Sequence, residues 1–181
     1  MPSGGLHIVF GSNQSDVVVV AAPKAKAAPQ SAAQQAAWAD ARAQWARWGK
    51  SLLSDFRNGQ CTDLAARSRP DVVERIYEQV WASADLHNDP NPTFPGMDAR
   101  SWSGLARRAG LTVSDSPTVG ALVVWQPGIE GADVPSGHIG VVTAVSGAIF
   151  TAREENVGKP YHYGVRTLST SPVSGRTFIL P

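Results

Sequence analysis

The sequence has few of the residues on which several classes of function depend. It contains a single cysteine, Cys61, so it can form neither an internal disulfide nor a multi-thiolate zinc site. Charged residues make up only 17% of the 181 residues and the net charge is +1, so no concentrated basic surface for a nucleic acid is predicted. The four histidines are scattered, which excludes a histidine-rich metal-binding tract.

Long apolar runs are also missing. Residues 1–22 have no basic segment followed by a long apolar core, so no secretory signal is visible. The apolar run at residues 17–22 is far too short to span a bilayer. We therefore expect no membrane partner.

What the chain does contain is 43% apolar residues, enough for the core of one compact domain. Residues 1–30 differ from the rest, because two short apolar runs around a turn indicate a hairpin or the remnant of a neighbouring domain, and an Ala, Lys and Pro stretch predicts a linker. We therefore divide the chain into an N-terminal segment, residues 1–30, and a catalytic domain, residues 31–181.

The periodicity within residues 31–181 changes at about Gly110. Three- and four-residue apolar spacing before it predicts helices, and segments rich in Val, Ile and Thr after it predict strands. The predicted helices are residues 31–56, 61–68, 71–84 and 98–109, and the predicted strands are residues 121–125, 138–145, 148–152, 161–168 and 176–180. Helices followed by strands indicate an α+β fold with a mainly antiparallel sheet.

Cys61 lies where a thiol could be a nucleophile. A lone cysteine is most often a small buried apolar residue. Here a helix break at Asn58-Gly59 precedes it and a predicted helix follows it, so the sulfur is expected at a helix N-terminus. The helix dipole and free amides there favour a thiolate and could bind a developing oxyanion.

A thiolate nucleophile needs a base within hydrogen-bond reach. His138 is the best candidate, because it begins an apolar strand just after a Gly-rich loop and could face a cleft. His162 lies inside another predicted strand and is the weaker candidate, and His7 and His87 lie in peripheral segments. An orienting partner for His138 is expected on the next strand, where either Glu154 or Asn156 could serve because residues two apart share a strand face.

In order and spacing, these segments together resemble the CHAP family, the cysteine- and histidine-dependent amidohydrolases and peptidases of bacterial and phage wall hydrolases. Matching segments are spread over residues 58–179, about two-thirds of the chain. They are Gly-Gln-Cys-Thr at residues 59–62, a helix with Trp102 at residues 99–110, Pro-x-x-Gly to Trp at residues 117–125, Gly-His-Ile-Gly-Val-Val at residues 137–142, Arg-Glu-Glu-Asn at residues 153–156, and final strands with Arg166 and Phe178-Ile179.

The resemblance implies a papain-like α+β fold with N-terminal helices packed on the sheet. It also implies that Cys61 is the nucleophile and His138 the general base, that Glu154 is the third member with Asn156 assisting or substituting, and that Gln60 supports the oxyanion hole. The implied substrate is an amide of bacterial peptidoglycan, cut through an acyl-enzyme without a cofactor or metal. Both N-acetylmuramoyl-L-alanine amidase and peptide endopeptidase activity remain open.

The implied place of action is the bacterial cell wall. Since no signal is visible, delivery by a phage, a place in a virion or membership of a longer protein is expected, with a phage tail or lysis assembly as a further partner. The sequence departs from the family at Asp63, where an aromatic residue is common; a carboxylate facing the thiol would disfavour the thiolate. Glu155 replaces the family's Met and is expected to point outward. No acidic calcium loop precedes Cys61.

Two alternatives stay open. Asp63 and the unusual N-terminal segment are compatible with a silent structural or wall-binding module that kept the fold and lost turnover. A wall peptidase of the NlpC type is also possible, but such enzymes have a Cys-His-His arrangement, in which a second histidine orients the base. The Gln60-Cys61 pair and the strand with Glu154 and Asn156 argue against that class.

Overall fold

The computed structural model describes residues 53–54, 56–57, 59–83, 97–157, 159 and 161–181, together with residues 32, 36, 39 and 43. Three helices have described bounds, and these are α1 (Cys61–Ser68), α2 (Pro70–Ser83) and α3 (Trp102–Arg108). The strands are β1 (Val113–Ser114), β2 (Leu122–Trp125), β3 (His138–Ser146), β4 (Ile149–Glu155), β5 (Tyr163–Ser169) and β6 (Arg176–Ile179). Single 3₁₀ turns lie at Ala99–Ser101 and Ile129–Gly131.

The strands form one six-stranded sheet in the order β1-β6-β2-β3-β4-β5, and every neighbouring pair is antiparallel. The register aligns Trp125 with His138 and Gly140 with Glu154. It also aligns Ala152 with Arg166. Because side chains alternate along a strand, His138, Glu154 and Arg166 therefore project from the same face of three adjacent strands.

The helices pack against one face of the sheet and a second apolar cluster fills the other face. Trp102 of α3 and Ile76 of α2 are fully buried with Val124 and Ile139 of the sheet. On the opposite face, large buried side chains include Trp125, Phe150 and Phe178. Burial on both faces explains why β2 is an unbroken apolar run, Leu-Val-Val-Trp. α1 packs across β3 and β4, which brings its N-terminus to the start of β3.

The predicted papain-like α+β fold with helices on a mainly antiparallel sheet is confirmed. α1 has the predicted bounds, α2 differs by one residue at each end, and α3 ends one residue before the predicted Ala109. The first turn of this predicted helix is a 3₁₀ turn, Ala99–Ser101. Gly110, at φ +74°, lies just after the end of α3. The short strand β1 was not predicted, because two residues cannot carry a periodic pattern.

The prediction of a helix over residues 31–56 is partly wrong. Residues 32, 36, 39 and 43 are helical, but Leu53 and Ser54 form a turn, so the helix does not extend to Phe56. Phe56 is still buried and meets the Trp102 ring edge-on at 6.2 Å. Residues 1–30 lie outside the described residues, so the division at residue 30 stays a prediction. Among helices of the described residues, none has the length and apolar character that a bilayer crossing requires.

Candidate functional site

Cys61 is the first residue of α1, and the backbone before it prepares this position. Gly59 has φ +71°, a conformation that favours glycine, and Gln60 is extended at φ −88° and ψ 164°. The Asp63 amide donates to the Gln60 carbonyl over 2.9 Å, which closes the first turn. The thiol is therefore at the N-terminus of the helix, as predicted, and only 9% of the residue is exposed.

His138, the first residue of β3, lies between Cys61 and Glu154. Its Nε2 is 2.9 Å from Oε2 of Glu154, and its side chain also hydrogen-bonds to the Cys61 side chain, which leaves Nδ1 as the nitrogen facing the sulfur. Burial opposes a charge on the imidazole, but the hydrogen bonds to Cys61 and Glu154 outweigh it and raise the pKa of His138 from 6.5 to about 9. The ring is thus held as an imidazolium at neutral pH.

Glu154 is 1% exposed and has a cation on each side. Its second oxygen, Oε1, accepts a hydrogen bond from Nε of Arg166 over 2.7 Å. Burial tends to raise the pKa of Glu154, but the hydrogen bonds from His138 and Arg166 lower it below its usual value. A buried carboxylate is stable when it is paired in this way, so Glu154 remains negative and holds the imidazole orientation.

Asn156 contacts Gln60 rather than His138. Its Nδ2 donates to Oε1 of Gln60 over 2.7 Å. Asn156 lies just after β4 and has φ +66°, a left-handed conformation that asparagine tolerates better than most residues. Of the two orienting partners that the sequence left open, only Glu154 reaches the imidazole, while Asn156 joins β4 to the residue before the thiol.

Asp63 is buried and uses one carboxylate oxygen to hold the turn before α1. Its Oδ2 accepts a hydrogen bond from the Gly59 amide over 2.6 Å and lies 3.9 Å from NH1 of Arg67. Arg67 also pairs with Oε2 of Glu155 at 2.6 Å. Asp63 therefore braces the turn in front of α1. The prediction that Glu155 points outward is wrong, because the residue is only 4% exposed and is paired with this arginine.

The other histidines do not join the site within the described residues. His162 accepts a hydrogen bond from the Asn156 amide at its backbone carbonyl over 2.8 Å, and its side chain is exposed. His7 and His87 lie outside the described residues. The partner that orients His138 is therefore a carboxylate, in contrast to the Cys-His-His arrangement of the NlpC type.

Sequence reasoning missed three residues that support the site. Arg166 pairs with Glu154, and the Trp125 ring stacks on the His138 ring with centroids 5.6 Å apart and planes at 29°. Glu130 accepts from Nε1 of Trp125 over 2.7 Å. In the sequence, Trp125 and Arg166 stand out only as parts of larger motifs, and nothing there links them to His138 or Glu154. Glu130 carried no signal, since its role depends on a left-handed turn at φ 49°.

The site opens into a cleft of about 530 Å³. All five predicted site residues line the cleft. The complete lining comprises Gln60, Cys61, Thr62, Met97, Asp98, Ala99, Gly131, Asp133, Ser136, Gly137, His138, Glu154, Asn156, Val157 and Arg166. In the described part of the chain, no group of three or more histidine, cysteine, aspartate or glutamate side chains could hold a metal ion. The arrangement of a thiol, an imidazole and a carboxylate in a cleft is suited to acyl transfer.

The family model described as CHAP domain matches residues 53–156, more than half of the chain. The chain therefore belongs to the CHAP family. The match contains all five predicted site residues, and it ends before Arg166.

The chain is also similar to one curated protein and to solved structures. The Staphylococcus aureus (strain NCTC 8325 / PS 47) protein named Probable autolysin SsaALP is 33% identical over 84 residues, which are 45% of this chain and 29% of that protein. A crystal structure of N-acetylmuramoyl-L-alanine amidase from Staphylococcus aureus is 24% identical with a TM-score of 0.48, over 67% of this chain and 30% of that one. The crystal structure of Ly7917 with the hydrolyzing product of MDP is 21% identical with a TM-score of 0.43, over 82% and 62% of the two chains. The chain thus spans less than a third of the autolysin that it matches.

Proposed function

We propose that this protein is a peptidoglycan hydrolase that cuts an amide bond by thiolate attack from Cys61. The observation that carries the proposal is the hydrogen-bonded series from Cys61 to His138 to Glu154 at the start of α1. Membership of the CHAP family and the autolysin name of a relative that is 33% identical support peptidoglycan as the substrate. No cofactor or metal takes part in the proposed reaction.

In the proposed first step, the Cys61 sulfur attacks the carbonyl carbon of the amide. The oxygen becomes negatively charged, and the Cys61 backbone amide with the Gln60 side chain stabilises it. The His138 imidazolium then donates its proton to the amide nitrogen, so that the amine leaves and a thioester remains. The raised pKa of His138, about 9, keeps this proton available at neutral pH.

In the second step, water attacks the thioester carbonyl. His138, now neutral, removes a proton from that water, and the collapse of the second tetrahedral intermediate releases a carboxylic acid and the Cys61 thiolate. Glu154 keeps the imidazole in the orientation that both steps need, because its Oε2 holds Nε2 at 2.9 Å and leaves Nδ1 towards the sulfur.

Asn156 has a different role in this proposal. It holds Gln60 through the 2.7 Å bond to Oε1. That contact uses the oxygen end of the Gln60 amide, so the nitrogen end is the one that can donate to an oxyanion. Asn156 is therefore proposed as a positioning residue for Gln60, and Glu154 as the partner of His138.

The cut bond distinguishes two forms of the proposal. An N-acetylmuramoyl-L-alanine amidase releases stem peptides with a new amino terminus at L-alanine, whereas an endopeptidase releases peptide fragments and leaves L-alanine on the glycan. Mass spectrometry of the products released from several wall types distinguishes them. We propose delivery by a phage, as an endolysin or a tail-associated lysin, because the wall hydrolases that the sequence resembles include those of phages.

The proposal is tested with Cys61→Ala and Cys61→Ser in parallel with the wild type. Both variants are expected to keep the thermal unfolding transition and to release no muropeptides, because alanine and serine fit the site but lack the thiolate. Iodoacetamide is expected to label the wild-type thiol faster than an unfolded control peptide. Wall clearing by folded Cys61→Ala would refute the mechanism, and tight wall binding without product release by the wild type would favour the binding-module alternative.

A further inference from the structure

The 3₁₀ turn Ile129–Gly131 lies beside the candidate site and has an unusual backbone. Glu130 has φ 49° and ψ 35°, whereas its neighbours with positive φ, Gly128 and Gly131, are glycines. A left-handed conformation is costly for a side chain such as glutamate, and it persists only where surrounding contacts impose it. The contacts of Glu130 therefore indicate what this conformation serves.

The Glu130 side chain reaches the His138 side of the site. Its Oε2 accepts from Nε1 of Trp125 over 2.7 Å, and the Trp125 ring stacks on the His138 ring with centroids 5.6 Å apart. The same carboxylate pairs with NH1 of Arg176, at 2.8 Å and 3.0 Å for its two oxygens. Arg176 is 1% exposed and lies over the rings of Phe150 and Phe178, so the carboxylate is tied to a rigid part of the core.

The Glu130 backbone reaches the Glu154 side of the site. Its carbonyl accepts from NH1 of Arg166 over 2.6 Å, while Nε of the same guanidinium donates to Oε1 of Glu154 over 2.7 Å. The guanidinium also lies over the Trp125 ring, 4.6 Å from its centroid. One residue thus connects to both members of the imidazole–carboxylate pair, to His138 through Trp125 and to Glu154 through Arg166.

We propose that Glu130 is a positioning residue that fixes the imidazole of His138 and the carboxylate of Glu154 relative to each other. This inference rests on the proposed function of the site, in which these two groups move the protons. In this left-handed conformation the Glu130 carbonyl contacts Arg166 while its carboxylate contacts Trp125.

Three variants examine the two connections separately. Glu130→Gln keeps the shape of the side chain, removes the ion pair with Arg176 and weakens the hydrogen bond from Trp125 Nε1, because the acceptor loses its charge. Trp125→Phe keeps an aromatic ring on His138 and removes the Nε1–H donor, without any change of charge. Arg166→Lys keeps the positive charge but has a single nitrogen, which cannot follow the fork between the Glu130 carbonyl and Glu154. Asp115→Asn, an exposed carboxylate outside the cleft, is the matched control.

Two measurements are made on each folded variant. NMR titration gives the pKa of His138, and turbidity loss of purified walls gives the pH profile of clearing. For Glu130→Gln we expect the His138 pKa to fall below its wild-type value, the alkaline limb of clearing to move to lower pH, and clearing at pH 8 to fall about tenfold. Trp125→Phe and Arg166→Lys should each shift the profile in the same direction by less, and Asp115→Asn should not shift it.

The results separate the alternatives. The inference would be overturned if folded Glu130→Gln kept the wild-type His138 pKa and pH profile. It would also be overturned if Glu130→Gln shifted the His138 pKa but neither Trp125→Phe nor Arg166→Lys did, because the loss of charge alone would then explain the shift. If Glu130→Gln does not fold, Trp125→Phe decides, because it removes the hydrogen bond between Trp125 and Glu130 and leaves the contact of Arg166 with Glu154 in place. If the wild type clears no wall, the proposed function fails, and the His138 titrations still test the positioning role.

Discussion

Replacing Glu154 by glutamine isolates the charge that orients His138. Glutamine has nearly the same volume and shape, so the change leaves the backbone of β4 and the packing of the site intact. It removes a carboxylate that is 1% exposed and lies 2.9 Å from Nε2 of His138 and 2.7 Å from Nε of Arg166. What changes is therefore the stabilisation of the imidazolium, together with the acceptor that fixes the ring.

The expected magnitude follows from the pKa of His138. Burial lowers that pKa, and the hydrogen bonds to Cys61 and Glu154 overcome burial to raise it from 6.5 to about 9. That difference corresponds to about 3 kcal/mol in favour of the folded, protonated form. Without the Glu154 charge, only the Cys61 side opposes burial, so we expect the His138 pKa to fall by about 1 pH unit or more. Turnover should fall about 100-fold, because the ring also loses the charged acceptor that fixes its orientation.

The sign of the stability change with pH follows from the same values. His138 has a raised pKa, so its stabilisation is fully present below pH 6.5 and is lost as the pH rises through about 9. Glu154 has a lowered pKa, so its stabilisation is present above its usual value of 4.5 and is lost as the pH falls. Both dependences should weaken in Glu154→Gln. The side chains that face His138 are Cys61 of α1 and Glu154 of β4, with Arg166 of β5 behind the carboxylate.

The assay is urea unfolding at a series of pH values, combined with NMR titration of His138 and the pH profile of wall clearing. Asn156→Ala is the matched comparison, because Asn156 is two residues away and contacts Gln60 instead of the imidazole. It should lower clearing while the His138 pKa stays at about 9. The assignment of separate roles would be refuted if the His138 pKa were the same in the wild type and Glu154→Gln. It would also be refuted if that pKa fell equally in Glu154→Gln and Asn156→Ala.

Three further predictions concern the supports of the site. Gly140→Ala should destabilise the fold by about 2 kcal/mol in urea unfolding and lower the His138 pKa, because the added Cβ would lie 2.9 Å from the Glu154 Cγ and 2.9 Å from a backbone carbonyl oxygen. Asp63→Asn should cost about 1–2 kcal/mol in the same assay, since it weakens the 2.6 Å bond from the Gly59 amide; unchanged stability would contradict its bracing role. Trp102→Ala should cost about 4 kcal/mol, because Trp102 is fully buried, and a loss below 1 kcal/mol would contradict that packing.

The fold class was predictable because the two periodicities are separated along the chain. Apolar residues at helical spacing precede Gly110, and β-branched residues in short runs follow it. Element ends were less predictable, because they depend on tertiary contacts. Phe56, for example, belongs to the apolar pattern of the first predicted helix, yet it lies beyond a turn and is buried against Trp102. Phe56 contributes its apolar side chain to the core without being part of a helix.

The members of the candidate site were predictable to different degrees. Cys61, His138 and Glu154 stand at the ends of elements in a recognisable order, and sheet register then brings the last two together. The contacts of Glu130 could not be predicted, since they arise from a left-handed turn and an ion pair with a residue 46 positions away. Long-range pairs of this kind leave no periodic pattern in a single sequence.

The end of β4 explains why Glu154 and Asn156 could not be distinguished from their spacing. In a regular strand they would share one face and compete for the imidazole. The strand ends at Glu155, and the left-handed backbone at Asn156 turns its amide towards Gln60 in front of α1. Glu154, still in the strand, keeps its register opposite Gly140 and reaches the base on β3. A single residue in a left-handed conformation therefore lets one short segment contact both the nucleophile's helix and the base's strand, which couples the two halves of the site through the backbone of β4.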